Sequence, residues 1–99
     1  MSFEKWRKRK VFPITLDGET HHIRSWSLAD SLGMGAHKTE AGRADYIIRI
    51  SLCDADGNLL LQPDESAADF DKAIGEQIVL ESLRANGFQS GSVESAKKD

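Results

Sequence analysis

The side chains with the best claim to chemistry lie in three places. The run Asp54-Ala-Asp56-Gly57-Asn58 offers oxygen ligands to a cation, His21, His22 and His37 offer imidazoles to a metal, and Cys53 offers a thiol. None has the surroundings its chemistry needs. An EF-hand calcium loop wants oxygens at positions 1, 3 and 5, glycine at 6 and glutamate at 12. Here glycine falls at position 4, and Glu65 reaches position 12 only after Pro63. Adjacent histidines on a strand point to opposite faces, and no cysteine or acid stands at zinc spacing from them. Asp54 and Asp56 would raise the Cys53 pKa, the opposite of what a nucleophile requires, so Cys53 reads as a small core residue. Gly33-Met34-Gly35 lacks the spacing and the lysine of a phosphate-binding loop. The carboxylates fall on turns and helix ends, where solvation and capping account for them. No catalytic residue, cofactor site or metal site is expected, and the chain reads as a non-enzyme.

Charge is distributed unevenly. Lys5, Arg7, Lys8, Arg9 and Lys10 stand against Glu4 in residues 1–10, a net of +4 in a chain of net −3, so the remainder carries −7. A basic arm with Trp6 has the means to displace counterions from phosphates and to stack on a base. The acidic body argues against a broad nucleic-acid face, and a solvated terminus is the simpler reading. Trp6, Arg7 and Arg9 remain candidate partner contacts.

Ninety-nine residues suit one domain. A hydrophobic content of 39% allows a modest core, with seven aromatics expected to supply much of it. No apolar run approaches the roughly 18–20 residues of a membrane span. No apolar stretch follows the basic N-terminus as a signal peptide would require. A single cysteine suits a reducing compartment, so a cytoplasmic protein is expected.

The elements follow from pattern. Phe12, Ile14 and Leu16 alternate with Pro13 and Thr15 as a half-buried strand, and Pro13 places it at a sheet edge. Asp17-Gly18 suits a tight hairpin turn, and Thr20–Ser25 returns as the second strand. Ser27 and Asp30 form a short capping box, with Trp26 just before it, for a helix that Gly33 and Gly35 soon interrupt. Residues 35–42 read as a loop. Residues 44–53 fit both periods: Ala44, Tyr46, Ile48, Ile50 and Leu52 alternate, while Ala41, Ala44, Ile48 and Leu52 make a helical stripe. After the turn at 54–58, Leu59–Leu61 suggests a short strand and Pro63–Ser66 a helix start. Ala68–Ala73 reads as helical, and Gly75 is placed to kink the helix or divide it in two. Asn86-Gly87-Phe88 stops the last helix, with Gly87 as left-handed cap and Phe88 folding back onto the last turn. The fold class is α+β: an N-terminal β-hairpin, three to four helices and a short strand in residues 11–88, after a basic arm (1–10) and before a flexible polar tail (89–99).

Within the last helix, Glu76–Ala85, Val79, Leu80 and Leu83 lie on one side and Ile78 on another. The three are expected in the core, with Ile78 facing a partner.

The order of elements resembles the tail assembly chaperones of long-tailed bacteriophages. The resemblance rests on a hairpin ending in an arginine before a Ser-capped helix (Ile23-Arg24-Ser25-Trp26-Ser27-Leu-Ala-Asp30) and an apolar segment running into Asp54-Ala-Asp-Gly57. A final helix ending Leu83-Arg-Ala-Asn86-Gly87-Phe88 completes it, over residues 11–88. The basic arm and the glycine-broken first helix depart from it. The resemblance implies helix for residues 44–53. It also implies a non-enzymatic role in tail morphogenesis, binding the tape measure protein and recruiting tail tube protein subunits in the host cytoplasm. A homo-oligomer is compatible with it. The alternatives are a nucleic-acid-associated or regulatory module acting through the arm, or a structural tail component.

Overall fold

Two residues in the left-handed region, Asp17 (φ 50°) and Gly18 (φ 79°), reverse the chain between β1 (Val11–Leu16) and β2 (Glu19–Arg24). Positive φ at both central positions matches the twist of the flanking strands, which is why Asp-Gly works here. The computed structural model describes residues 3–87. In order they form α1 (Glu4–Arg7), the hairpin, α2 (Leu28–Gly33), a 3-10 turn (Met34–Ala36), α3 (Glu40–Ser51), β3 (Leu52–Cys53) and α4 (Lys72–Ala85). The three strands form one antiparallel sheet in the order β1-β2-β3, an α+β arrangement. β1 is an edge strand, so Pro13, opposite His22, lacks its N–H without cost to the sheet interior.

Residues 44–53 divide between the two periods. Thr39 caps α3 by accepting from the Gly42 amide, the helix runs to Ser51, and Leu52 and Cys53 then pair with Ile23 and His22 of β2. Arg24 holds this junction: its Nε donates to the Ile50 carbonyl at 3.1 Å and its Nη1 to that of Gly57 at 3.4 Å. A cation beside the last carbonyls of α3 also favours that helix end.

The core is aliphatic. Ile14, Leu16, Ile23, Ile48, Leu52, Ala67 and Ile78 form its centre. The aromatics expected to supply much of it stay outside that centre: Phe12 and Phe70 pack against it, and Phe3 and Trp6 are exposed.

Ile78 is corrected from partner-facing to core, at 1% exposure, while Leu80, expected in the core, is 42% exposed. Residues four apart share a helix face, and the inward stripe is Ile74, Ile78, Ser82 and Ala85. Ser82 is fully buried, and this one polar residue disguises the stripe in the sequence. Val79 packs at the core margin and Leu83 is half-buried.

Between β3 and α4 the turn at 54–58 forms as expected, and the remainder differs. Leu59 makes a single bridge to Cys53, with no strand over 59–61. Residues 63–70 form turns, and the last helix begins only at Lys72, capped by Asp71. The Asp45 carboxylate of α3 explains this course, accepting from Ala67 N and from Ser66 Oγ at 3.0 Å while paired with Arg49 at 3.1 Å. Helix over these residues would withdraw the Ala67 amide from that bond. Gly75 does not divide α4, which runs unbroken from Lys72 to Ala85; a Cβ there would simply touch Ile48 and Phe70. Of residues 35–42, expected as a loop, 37–39 are irregular, while 35–36 end the 3-10 turn and 40–42 begin α3. Gly87 takes φ 92°, as the left-handed stop requires. Phe88 and the tail 89–99 lie outside the described residues.

Candidate functional site

The basic arm is tied to the fold at its root. Lys10 N donates to Ser25 Oγ and Ser25 N donates to the Lys10 carbonyl, both at 2.8 Å, so the chain ahead of β1 runs beside the start of α2. Between arm and body lies an open groove of about 660 Å³. Lys5, Arg7, Lys8 and Lys10 line it from the arm, and Trp26 and Leu28 line it from the body. No carboxylate belongs to this lining, and none of these four cations has an ion-pair partner among the described residues.

Trp26 is held firmly. Its indole Nε1 donates to Ser51 Oγ at 2.7 Å, and its backbone N–H donates to Asn86 Oδ1 at 2.8 Å. Asn86 in turn donates from Nδ2 to the Ser82 carbonyl at 2.8 Å, so one amide joins the end of α4 to the segment leading into α2. Trp26 thus makes a cross-connection between three helices, α2, α3 and α4.

Polar contacts dock α2. Ser27 Oγ accepts from Asp30 N and Asp30 Oδ2 accepts from Ser27 N, each at 3.0 Å, the reciprocal capping box that the sequence suggests. Tyr46 of α3 donates its hydroxyl to the Asp30 carbonyl at 2.7 Å. Burial pushes the Tyr46 phenol pKa up, with the Asp30 carboxylate adding to the effect, so it stays a donor. Gly33 makes room for that hydroxyl; a Cβ at this position would collide with it. The outer side of α2 carries Leu28 at 76% and Leu32 at 71% exposure, one helical turn apart.

Trp6, 66% exposed, lines the same groove as Leu28, and its ring lies 5.2 Å from that of Phe3. Trp6 and Leu28 thus line the cationic groove as exposed apolar side chains, with Phe3 beside Trp6 and Leu32 one turn from Leu28. Arg9 is less free than its neighbours. Its Nη2 lies 3.5 Å from Asp30 Oδ2 and its Nη1 donates to the Arg7 carbonyl at 3.3 Å, both long for bonds from a charged donor. Its Nε is shielded from water and has no acceptor among the described residues.

Of the sequence-derived candidates, Trp6, Arg7 and Arg9 come together here, and Ile78 lies in the core instead. Leu28, Leu32 and Trp26 escaped sequence reasoning. The available signal was the Leu28-to-Leu32 spacing on a helix too short to need two core leucines.

The other candidate groups serve structure. Asp54 accepts from the Asp56 and Asn58 amides at 2.9 Å, closing its turn, and the Asn58 bond leads the causes that lower its pKa. Cys53 is 1% exposed, and burial pushes its thiol pKa up against the opposing pull of Arg24. His37 stacks on Tyr46 with ring centres 4.6 Å apart. Among the described residues, no three His, Cys, Asp or Glu side chains are grouped to hold a metal ion, and no helix is long and apolar enough to cross a membrane. Comparisons with known protein families, curated proteins and solved structures yield no match to this chain.

Proposed function

We propose that this protein is a non-enzymatic assembly helper of the phage tail chaperone kind, which shields an apolar segment of a client protein until the next assembly partner displaces it. The observation that carries the reading is the pair Leu28 and Leu32, one turn apart and more than two-thirds exposed on a helix already docked by polar contacts. A fold that secures a helix without using its leucines leaves them available to another chain. The resemblance in element order supplies the client, the tape measure protein, and the acceptor, the tail tube protein.

Co-expression with the tape measure protein of its phage tests this. The client is expected to stay in the supernatant and co-purify with the chain, and the Leu28→Asp/Leu32→Asp variant is expected to let it precipitate. Precipitation of the client with the unaltered chain overturns the reading.

A second reading, a nucleic-acid-associated module, draws on exposed Trp6 among five cations. Under the chaperone reading, binding to DNA or RNA is weak and vanishes with salt, because few phosphates can be neutralised. Tight, sequence-dependent retardation at physiological salt would favour the module.

A further inference from the structure

We infer that the groove takes an acidic amphipathic helix of the partner protein, its apolar stripe laid along Trp6 and Leu28 in the groove and on to Leu32 one turn beyond it, and its carboxylates facing Lys5, Arg7, Lys8 and Lys10. The inference rests on the assembly-helper reading and deepens it by naming the chemistry of the bound segment.

Three observations select this occupant. The apolar residues are spaced by a helical turn, which matches anchors at i, i+3 or i+4 on a bound helix. The lining has five cations and no carboxylate, and Asp30, 3.5 Å from Arg9, offsets only one of them, so an incoming acidic side chain meets net attraction. Arg9, the fifth cation of the lining, is held only by two long contacts, to Asp30 and the Arg7 carbonyl, so its guanidinium has bonding capacity left for an incoming carboxylate.

The same observations weigh against other occupants. A nucleic acid would gain from the cations but would gain nothing specific from Leu28 and Leu32, and it would face a body of net −7. An anionic bilayer also attracts basic and apolar side chains, but it is best met by a projecting face, whereas here the cations, Trp6 and Leu28 line a groove.

A synthetic helical peptide with an apolar stripe flanked by glutamates tests the inference. Two controls accompany it: the same stripe flanked by lysines, and the glutamate peptide with its stripe scrambled. By fluorescence anisotropy at low salt the first should bind at least about tenfold tighter than either control, a discrimination of about 1.4 kcal/mol. Affinity should fall as sodium chloride is raised. The Leu28→Ser/Leu32→Ser protein should lose about tenfold or more while melting as the parent does.

Several outcomes overturn it. One is equal binding of the lysine peptide. A second is equal binding of the scrambled peptide, which would reduce the groove to a charge patch. A third is tighter binding of single-stranded DNA or phosphatidylglycerol vesicles. A fourth is a dimer in light scattering that the double serine variant abolishes, which would make a second copy the occupant.

Failure here is separable from failure of the functional reading. If the peptide binds but the client still precipitates, the groove stands and the chaperone reading falls. If a Lys5→Glu/Lys8→Glu/Lys10→Glu variant holds the client as well as the parent, the groove falls and the chaperone reading stands.

Discussion

Helices α4 and α2 each carry a pair of aliphatic side chains one turn apart and use them in opposite ways. In α4, Ile74 and Ile78 face the sheet and α3, and Ile78 is shut off from solvent. In α2, Leu28 and Leu32 face water, and the helix is held instead by a capping box, a tyrosine hydroxyl and the Arg9–Asp30 contact. Area burial stabilises α4, while α2 relies on directional bonds of roughly 0.5–1.5 kcal/mol each. Folding and surface stickiness are therefore separable: the leucines of α2 can change without reaching the core, and the isoleucines of α4 cannot.

The largest effect should come from placing a charge on the buried side. Ile78→Asp is expected to unfold the protein, because it buries an unpaired carboxylate and removes a core side chain at once. Those two costs together rival the roughly 5–15 kcal/mol that keeps a typical domain folded. Leu80→Asp, on the same helix but exposed, should melt within about 1 kcal/mol of the parent. Urea titrations that rank the two the other way would destroy the contrast between the helix faces.

Asn86→Ala should come next. It leaves the Trp26 N–H without its acceptor, at about 1–3 kcal/mol for a bond left unmade, while the Ser82 carbonyl keeps the Asn86 backbone N–H. A melting temperature equal to that of the parent would show that the α2 side does not depend on this link.

A smaller effect follows from acid. Burial would raise the Asp45 pKa, but the bonds from Ala67 and Ser66 and the charge of Arg49 bring it net below 3.8. A carboxylate depressed in the folded state contributes stability that is present above its unfolded pKa and is lost as pH falls through the lower folded value. Asp45→Asn should therefore flatten the loss of stability below about pH 4, measured as the denaturation midpoint against pH. An unchanged acid limb would remove Asp45 as the pin of residues 63–70.

The smallest effect belongs to the exposed pair. Leu28→Ser with Leu32→Ser should shift stability by no more than about 0.5 kcal/mol. A larger loss would mean that α2 relies on apolar packing after all.

Legibility in the sequence tracks how local the cause is. The hairpin, the Ser27–Asp30 capping box and the Gly87 stop are set by residues adjacent in the chain, and each is found in the structure. The faces of α4 are hidden because Ser82 occupies an inward position where the pattern asks for a hydrophobic residue. The course of residues 59–70 is hidden because Asp45, some twenty positions earlier, claims the Ala67 amide. Trp6, Arg7 and Arg9 stand out by composition, whereas Leu28 in the groove and Leu32 one turn beyond it can be picked out only once the docking of α2 shows them to be spare. Gly33 looks like a helix breaker and is a seat for Tyr46.

The link between Trp26 and Asn86 also bears on the order in which the molecule assembles. It joins positions 60 residues apart, against the immediate neighbours that close the hairpin. Loop closure costs more as the intervening chain lengthens, so such a link forms only when most of the chain is already in place. Trp26 consequently marks completion. In a Trp6→Phe background its emission should lag behind the far-ultraviolet signal of helix formation during refolding, registering the moment at which the last helical turn closes against the first half of the chain.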